Sequence, residues 1–175
     1  VAPLGVYGRS KADAERRVLD ADPQALVIRT SAFFGPWDEH NFVTHALDAL
    51  DAGRPFAAAS DQVTAPTYVP DLVNACLDLL IDRESGIWHL TNGAAMSWAD
   101  LARRACAAAG VADGRLEERT TAELGLRAAR PRNSAMSSER GLLLPAFDDA
   151  LARYLRERET VGERANDVES AHYAS

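Results

Sequence analysis

Lysine is almost absent from these 175 residues: of 19 Lys and Arg, only Lys11 is Lys. In a chain that uses guanidinium nearly everywhere, its one compact ammonium calls for scrutiny, because a point charge does things an Arg fork cannot. Cysteine is scarce too. Cys76 and Cys106 fall on or beside apolar stripes of expected helices, where a reduced thiol acts as a small hydrophobe, so a structural disulfide is not expected. No apolar run approaches the roughly 20 residues that span a bilayer, and no charged-then-apolar leader precedes the first helical pattern. Positive charge is in deficit, with a formal net charge of -7, which gives no net attraction to nucleic acid or an anionic membrane. The expectation is a soluble, cytoplasmic protein with neither as a partner.

Metal-ligand patterns are lacking as well. His40 and His45 are five apart, which is not a same-face helical spacing, and His89 has no nearby Cys or carboxylate in sequence, so no metal site is expected. Asp48 and Asp51 lie on an Ala- and Leu-rich helix and read as its solvated face. Ser10 has no His and Asp partners for a hydrolase triad. Also missing is any Gly-x-Gly-x-x-Gly or Gly-x-x-Gly-x-x-Gly turn, the helix-opening loop that holds a dinucleotide pyrophosphate. The first residue is Val1, and the chain opens into a helical pattern with no preceding strand. A fragment, a processed product or a cloned domain is expected.

What is present is enough apolar material, 47% of residues, for one sizeable core. A helical pattern runs from Leu4 to about Leu19, with Tyr7, Lys11, Ala14 and Val18 on one stripe and Arg9, Asp13, Arg16 and Arg17 opposite. Asp22-Pro23 breaks it. Residues 25–30 (ALVIRT) then read as a strand buried on both faces, as in a parallel sheet. After Gly35-Pro36, a stripe of Phe42, Val43, Ala46, Leu47 and Leu50 marks a helix ending at Gly53. Residues 56–69 look extended and irregular, and Pro70 suits the first turn of a helix carrying Leu72, Val73, Cys76, Leu79 and Leu80. Residues 86–91 read as a strand. Ser97 and Asp100 resemble a capping box for a helix stopped by Gly110. Residues 115–119 form a short strand, 126–141 look irregular, and Phe147, Leu151, Tyr154 and Leu155 mark a last amphipathic helix. Beyond Thr160 a polar, frayed tail is expected. Alternating strands and helices give one α/β unit with smaller irregular additions near residues 56–69 and 111–145. Trp88 and Trp98 are expected in the core; Trp37, in a loop, is open to stacking on a base or sugar.

The strongest local feature is Tyr7-Gly8-Arg9-Ser10-Lys11. A spacing of four puts phenol and ammonium on adjacent turns of one face, where the cation would favour phenolate and let the phenol exchange a proton with a carbonyl or alcohol oxygen. The competing explanation is a partly buried aromatic beside a Lys that keeps its head wet. Pro3 to Lys11, followed by Ala14-Glu15, resembles the catalytic helix of extended short-chain dehydrogenases, and within them the dTDP-4-dehydrorhamnose reductases. Further matches follow in order: Ile28-Arg29-Thr30-Ser31, Gly35, Asn41-Phe42, Asp61-Gln62, Ala65-Pro66-Thr67, residues 86–90 and residues 130–134.

That resemblance, running from about Pro3 to Arg156, implies a partial Rossmann-like parallel sheet with a small α/β substrate-binding region: catalytic helix and C-terminal Rossmann strand and helix over residues 1–55, a substrate-binding region with returning Rossmann elements over 56–159, and a flexible tail over 160–175. It also implies NAD(P)H-dependent reduction of the 4-keto group of a nucleotide-activated deoxysugar. Tyr7 would be the acid at the sugar C4 oxygen, and Lys11 would hydrogen-bond the nicotinamide ribose. Arg29, Thr30 and Ser31 would border the cofactor, NADPH or NADH; for Arg29 a sheet-edge ion pair is the rival role. Asn41, Gln62, Pro66 and Thr67 would line the nucleotide-sugar pocket, and Arg130 and Asn133 would reach its diphosphate, where a guanidinium suits phosphate oxygens. The cofactor-binding segment would come from outside these residues, and a homodimer is an open arrangement. The family's usual aromatic is replaced here by Ala32. Alternatives within the fold are a nucleotide-sugar 4-epimerase or dehydratase; outside it, a non-catalytic binding or interaction fragment.

Overall fold

The computed structural model describes residues 3–126, 128, 130–141 and 143–172, with side chains described to residue 160. The chain opens with α1 (Val6–Ala21), which turns at Asp22 into strand β1 (Leu26–Arg29) and then β2 (Phe33–Phe34). Next come α2 (Phe42–Asp51) and three short strands, β3 (Phe56–Ala59), β4 (Val63–Thr64) and β5 (Thr67–Tyr68). These strands are the regular pieces of the stretch 56–69 expected to be extended and irregular. Helix α3 (Val69–Ile81) starts with Pro70 in its first turn, followed by β6 (Gly86–His89) and β7 (Met96–Ser97). Helix α4 (Trp98–Ala109), β8 (Leu116–Arg119) and α5 (Phe147–His172) complete the order. The α5 backbone remains helical to His172, where a frayed tail was expected past Thr160; no proline interrupts that stretch.

Capping is local and legible. The Ser97 hydroxyl accepts from the Asp100 backbone N–H at 3.0 Å, and Gly110, at φ +69°, closes α4 in the left-handed conformation. The strands pair at long range: β1 with β6, β2 with β5 and β3 with β8 are all parallel, while β4 and β7 are antiparallel. The chain is thus α/β with parallel sheet pieces, and each parallel pair is bridged by at least one helix, as parallel crossover connections usually are.

Two apolar clusters form the interior. The larger joins α2, α4 and α5 to β2 and β5 through Phe34, Leu47, Tyr68, Leu101, Leu151 and Tyr154. Phe34 meets Tyr154 edge-on, with centroids 5.6 Å apart, and the buried Tyr154 hydroxyl is satisfied by Thr44 at 2.7 Å. The smaller cluster sets Leu79 of α3 against Trp88 and Leu90. Both cysteines are unbridged, and burial pushes both thiols up in pKa. Trp98 is half-buried against Phe42, at 4.7 Å between centroids, while Trp37 is 70% exposed.

Asp71, at the start of α3, ties the clusters together. Its carboxylate accepts from Arg153 at 2.6 and 2.7 Å and from Asn92 Nδ2 at 2.9 Å. The Asn92 carbonyl in turn takes the Tyr68 backbone N–H at 2.7 Å. One buried acid thus fixes α3, α5, the 91–93 loop and β5.

Candidate active site

Helix α1 is unusual among the helices because none of its residues is buried. Its amphipathic pattern is genuine, yet the expected inner stripe lies open: Tyr7, Lys11, Ala14 and Val18 are all exposed, Tyr7 by 76%. The Lys11 Nζ sits 5.4 Å from the Tyr7 ring centroid, so phenol and ammonium share one face, as spacing four requires. Glu15 lies one turn further along the same face and forms a two-pronged bond to Arg29, at 2.9 Å to Nε and 2.6 Å to Nη2. Because α1 turns back into β1, its N-terminal end lies toward the carboxyl end of that strand. At 1.5 Å per residue, Tyr7 stands about 12 Å beyond Glu15 in that direction. In open α/β sheets this carboxyl side is where ligands bind.

The Arg29 guanidinium is spent within the protein: Nη1 also lies 3.4 Å from His89 Nε2. This is the sheet-edge ion pair weighed above. The bond to Arg29 is the chief cause holding the Glu15 carboxyl below its ordinary range, and its counterpart holds Arg29 further up.

Beyond Arg29, hydroxyls pair across the strand ends. Thr30 donates to Thr67 at 3.1 Å, and Ser31 and Thr64 lie 3.1 Å apart. Thr64 and Thr67 are fully buried. Immediately after Thr30 and Ser31, Ala32 adopts φ +46°, and its carbonyl accepts the Thr67 backbone N–H at 3.0 Å. A left-handed non-glycine residue beside the two hydroxyl pairs marks local strain at this strand end. Gln62, one residue before β4, is buried, and its Nε2 has no partner among the described residues. Pro66 is buried and accepts from the Asn92 backbone N–H at 3.2 Å.

Segment 132–134 clips onto β4. Val63 N–H donates to Arg132 O and Ser134 N–H to Val63 O, both at 2.8 Å. Asn133 is thereby held beside the Gln62–Thr64 stretch, while Arg130 is exposed. Asn41 behaves differently: its carbonyl accepts the Thr44 N–H at 3.0 Å, and its amide donates to Thr44 Oγ1 at 2.8 Å and Asp38 O at 2.5 Å. It is the N-cap of α2, with its polar atoms engaged in holding the 35–40 loop.

His40 and His45 stack at 6.1 Å between centroids. The helical spacing rule did not apply, because His40 precedes the helix. No group that could hold a metal ion occurs among the described residues. A cavity of about 520 Å³ lies between α3, β6 and Pro145, lined by Asp71, Asp78, Leu79 and Trp88. It contains none of the sequence-predicted site residues. Sequence reasoning gave no role to Glu15, His89 or Thr64, and only the quoted Ala14-Glu15 pair and the β6 motif drew attention to the first two.

Residues 1–159 match the RmlD substrate binding domain family. The spore coat polysaccharide biosynthesis protein SpsK of Bacillus subtilis is 31% identical over 160 residues, which cover 89% of this chain and 56% of the relative. The dTDP-4-dehydrorhamnose reductase of Mycolicibacterium smegmatis is 33% identical over 139 residues, 79% of this chain and 42% of that protein. The chain spans about half the length of the curated relatives it matches. Among solved structures, dTDP-4-dehydrorhamnose reductase from Bacillus anthracis in complex with NADP superposes with a TM-score of 0.81 at 29% identity, covering 89% of this chain and 57% of that one. UDP-glucose 4-epimerase from Thermus thermophilus, with a TM-score of 0.72 at 18% identity and coverage of 90% and 55%, shares the fold alone. The exposed phenol helix, the hydroxyl pairs at the strand ends and the clipped 132–134 segment all fall inside the matched span, and the chain belongs to the RmlD substrate-binding domain family.

Proposed function

We propose that these residues supply the proton-transfer pair and the sugar-binding walls of a cytoplasmic, NADPH- or NADH-dependent reductase acting on the 4-keto group of a nucleotide-activated deoxysugar. The observation that carries this reading is the Tyr7–Lys11 pair, side by side on an open helix face toward the carboxyl end of β1, in a family that includes named dTDP-4-dehydrorhamnose reductases. A reduced nicotinamide, when bound, supplies the hydride that adds to C4. As the carbonyl π bond breaks, the C4 oxygen takes the proton from Tyr7 Oη. The Lys11 ammonium would stabilise the phenolate left behind and is the residue that would hold the ribose hydroxyls.

The residues present fit a nicotinamide riboside: an exposed phenol and ammonium, with Thr30 and Ser31 at the adjoining strand end. They include no Gly-rich turn for a pyrophosphate, and we assign that part to residues beyond these 175, upstream or on a second polypeptide. Gln62, with its unpartnered amide nitrogen, and the Pro66–Thr67 wall would meet the sugar. Arg130 and Asn133 would meet the diphosphate, and Asn41 would act through the loop it caps.

The test is cofactor oxidation in the holoenzyme with a dTDP-4-keto-6-deoxysugar. Stoichiometric loss of NADPH or NADH is expected, and Tyr7→Phe should lower kcat by about 10²- to 10⁴-fold. Turnover without net cofactor consumption would instead identify an epimerase or dehydratase. Unchanged kcat in Tyr7→Phe would remove the phenol from the chemistry.

A further inference from the structure

No side chain of helix α1 is fully buried; Ala12, Glu15 and Leu19 are half-buried, and a polar relay ties the helix to the sheet. Glu15 grips Arg29 of β1 with two bonds, at 2.9 and 2.6 Å, and Arg29 reaches His89 of β6 at 3.4 Å. His89 Nδ1 lies 2.9 Å from the carbonyl of Ser137, in the same irregular segment that carries Asn133. The neutral imidazole with its proton on Nδ1 satisfies both contacts at once, donating to Ser137 and accepting from Arg29. Four pieces of chain, α1, β1, β6 and the 130–141 segment, are therefore joined by one line of hydrogen bonds. A two-pronged guanidinium–carboxylate contact fixes orientation as well as distance, and it acts on the face that Tyr7 and Lys11 share.

We infer that Glu15, Arg29 and His89 are positioning residues: they set the roll of α1, and hence where the Tyr7 hydroxyl stands relative to the substrate oxygen. The inference rests on the proposal that Tyr7 and Lys11 perform the proton transfer. It replaces a direct cofactor contact by Arg29 with an indirect role, since every nitrogen of that guanidinium is turned toward Glu15 or His89. Lys at position 29 would keep the charge and lose the fork. A displaced proton donor costs rate steeply, because an error of about 1 Å in placement can cost about a hundredfold.

The experiment is steady-state kinetics of Arg29→Lys, Glu15→Gln and the double variant in the holoenzyme, with Arg16→Gln as the control on the same helix. Among the described residues Arg16 pairs only with Asp13, on the exposed side. The expected result is a fall in kcat of about 10- to 100-fold in each single variant, with cofactor KM changed less than about twofold. The double variant should be no worse than the poorer single one, because both break the same contact. His89→Gln, which leaves the ion pair in place, should give a smaller fall of the same kind and serves if Arg29→Lys does not fold. A raised cofactor KM at constant kcat would overturn the inference and restore Arg29 as a cofactor contact. Unchanged kcat, or losses that add in the double variant, would overturn it too. Either outcome can occur while Tyr7→Phe is still inactive, so failure here is distinct from failure of the proposed reaction.

Discussion

At the scale of single residues, Ala32 is the clearest point of strain. Its φ of +46° brings Cβ toward the neighbouring carbonyl, at a cost of roughly 1–2 kcal/mol for a non-glycine residue. The Thr67 bond to its carbonyl and the two hydroxyl pairs beside it hold that conformation. Glycine adopts it freely but gives the unfolded chain more freedom, which offsets part of the relief. Ala32→Gly should therefore raise the unfolding free energy by less than about 1 kcal/mol, whereas the branched side chain of Ala32→Val should lower it by more than about 1 kcal/mol. Urea midpoints of the two variants check the sign of each. Other residue roles were visible in sequence only as types. Ser97 was legible as a cap because its partner, Asp100, is three residues away. The same three-residue spacing joins Asn41 to the Thr44 N–H it caps. The partner of Arg29, Glu15, stands fourteen positions earlier, beyond the reach of local spacing rules.

Among elements, the helices were legible because stripes at helical spacing announce themselves within a dozen residues. Strands β2, β4 and β5 were not, since each has two residues and takes its hydrogen bonds from chain about 30 positions away. Nor could the sequence say that the inner stripe of α1 would stand exposed among the described residues. The Glu15–Arg29 pair is the ionic tie between this helix and β1, with a consequence for pH. The Glu15 carboxyl is held below its ordinary value of 4.5, chiefly by the Arg29 bond. A depressed carboxylate contributes its stability above the unfolded value and loses it as pH falls through the folded one. Attachment of α1 should thus be complete at pH 7 and 5, and weaken only as acid takes the solution below about 4.5. Amide exchange across residues 6–21 measures this, and Glu15→Gln should show rapid exchange already at pH 7.

For the molecule as a whole, stability rests on two apolar clusters and the ionic knot between them. Asp71 is buried, while Arg153 keeps about a quarter of its side chain in water. Removing the acid leaves the Arg153 guanidinium, among the described residues, only its 3.3 Å pair with Asp149 and the Tyr68 ring, 5.1 Å away at the centroid, and leaves one Asn92 N–H without its acceptor. Asp71→Ala should cost about 3 kcal/mol, at the low end for breaking a buried pair because Arg153 remains partly solvated. Chemical denaturation reads this directly. A loss below about 1 kcal/mol would mean that the clusters hold without the knot.

The solitary ε-amine has one last implication. Lys11 is the only lysine in these 175 residues, and it stands open to solvent beside the Tyr7 ring. Amine-directed reagents such as succinimidyl esters accordingly find a single side-chain target here. The extent of its acylation would report, without any assay of turnover, whether a dinucleotide or a sugar nucleotide is shielding that face.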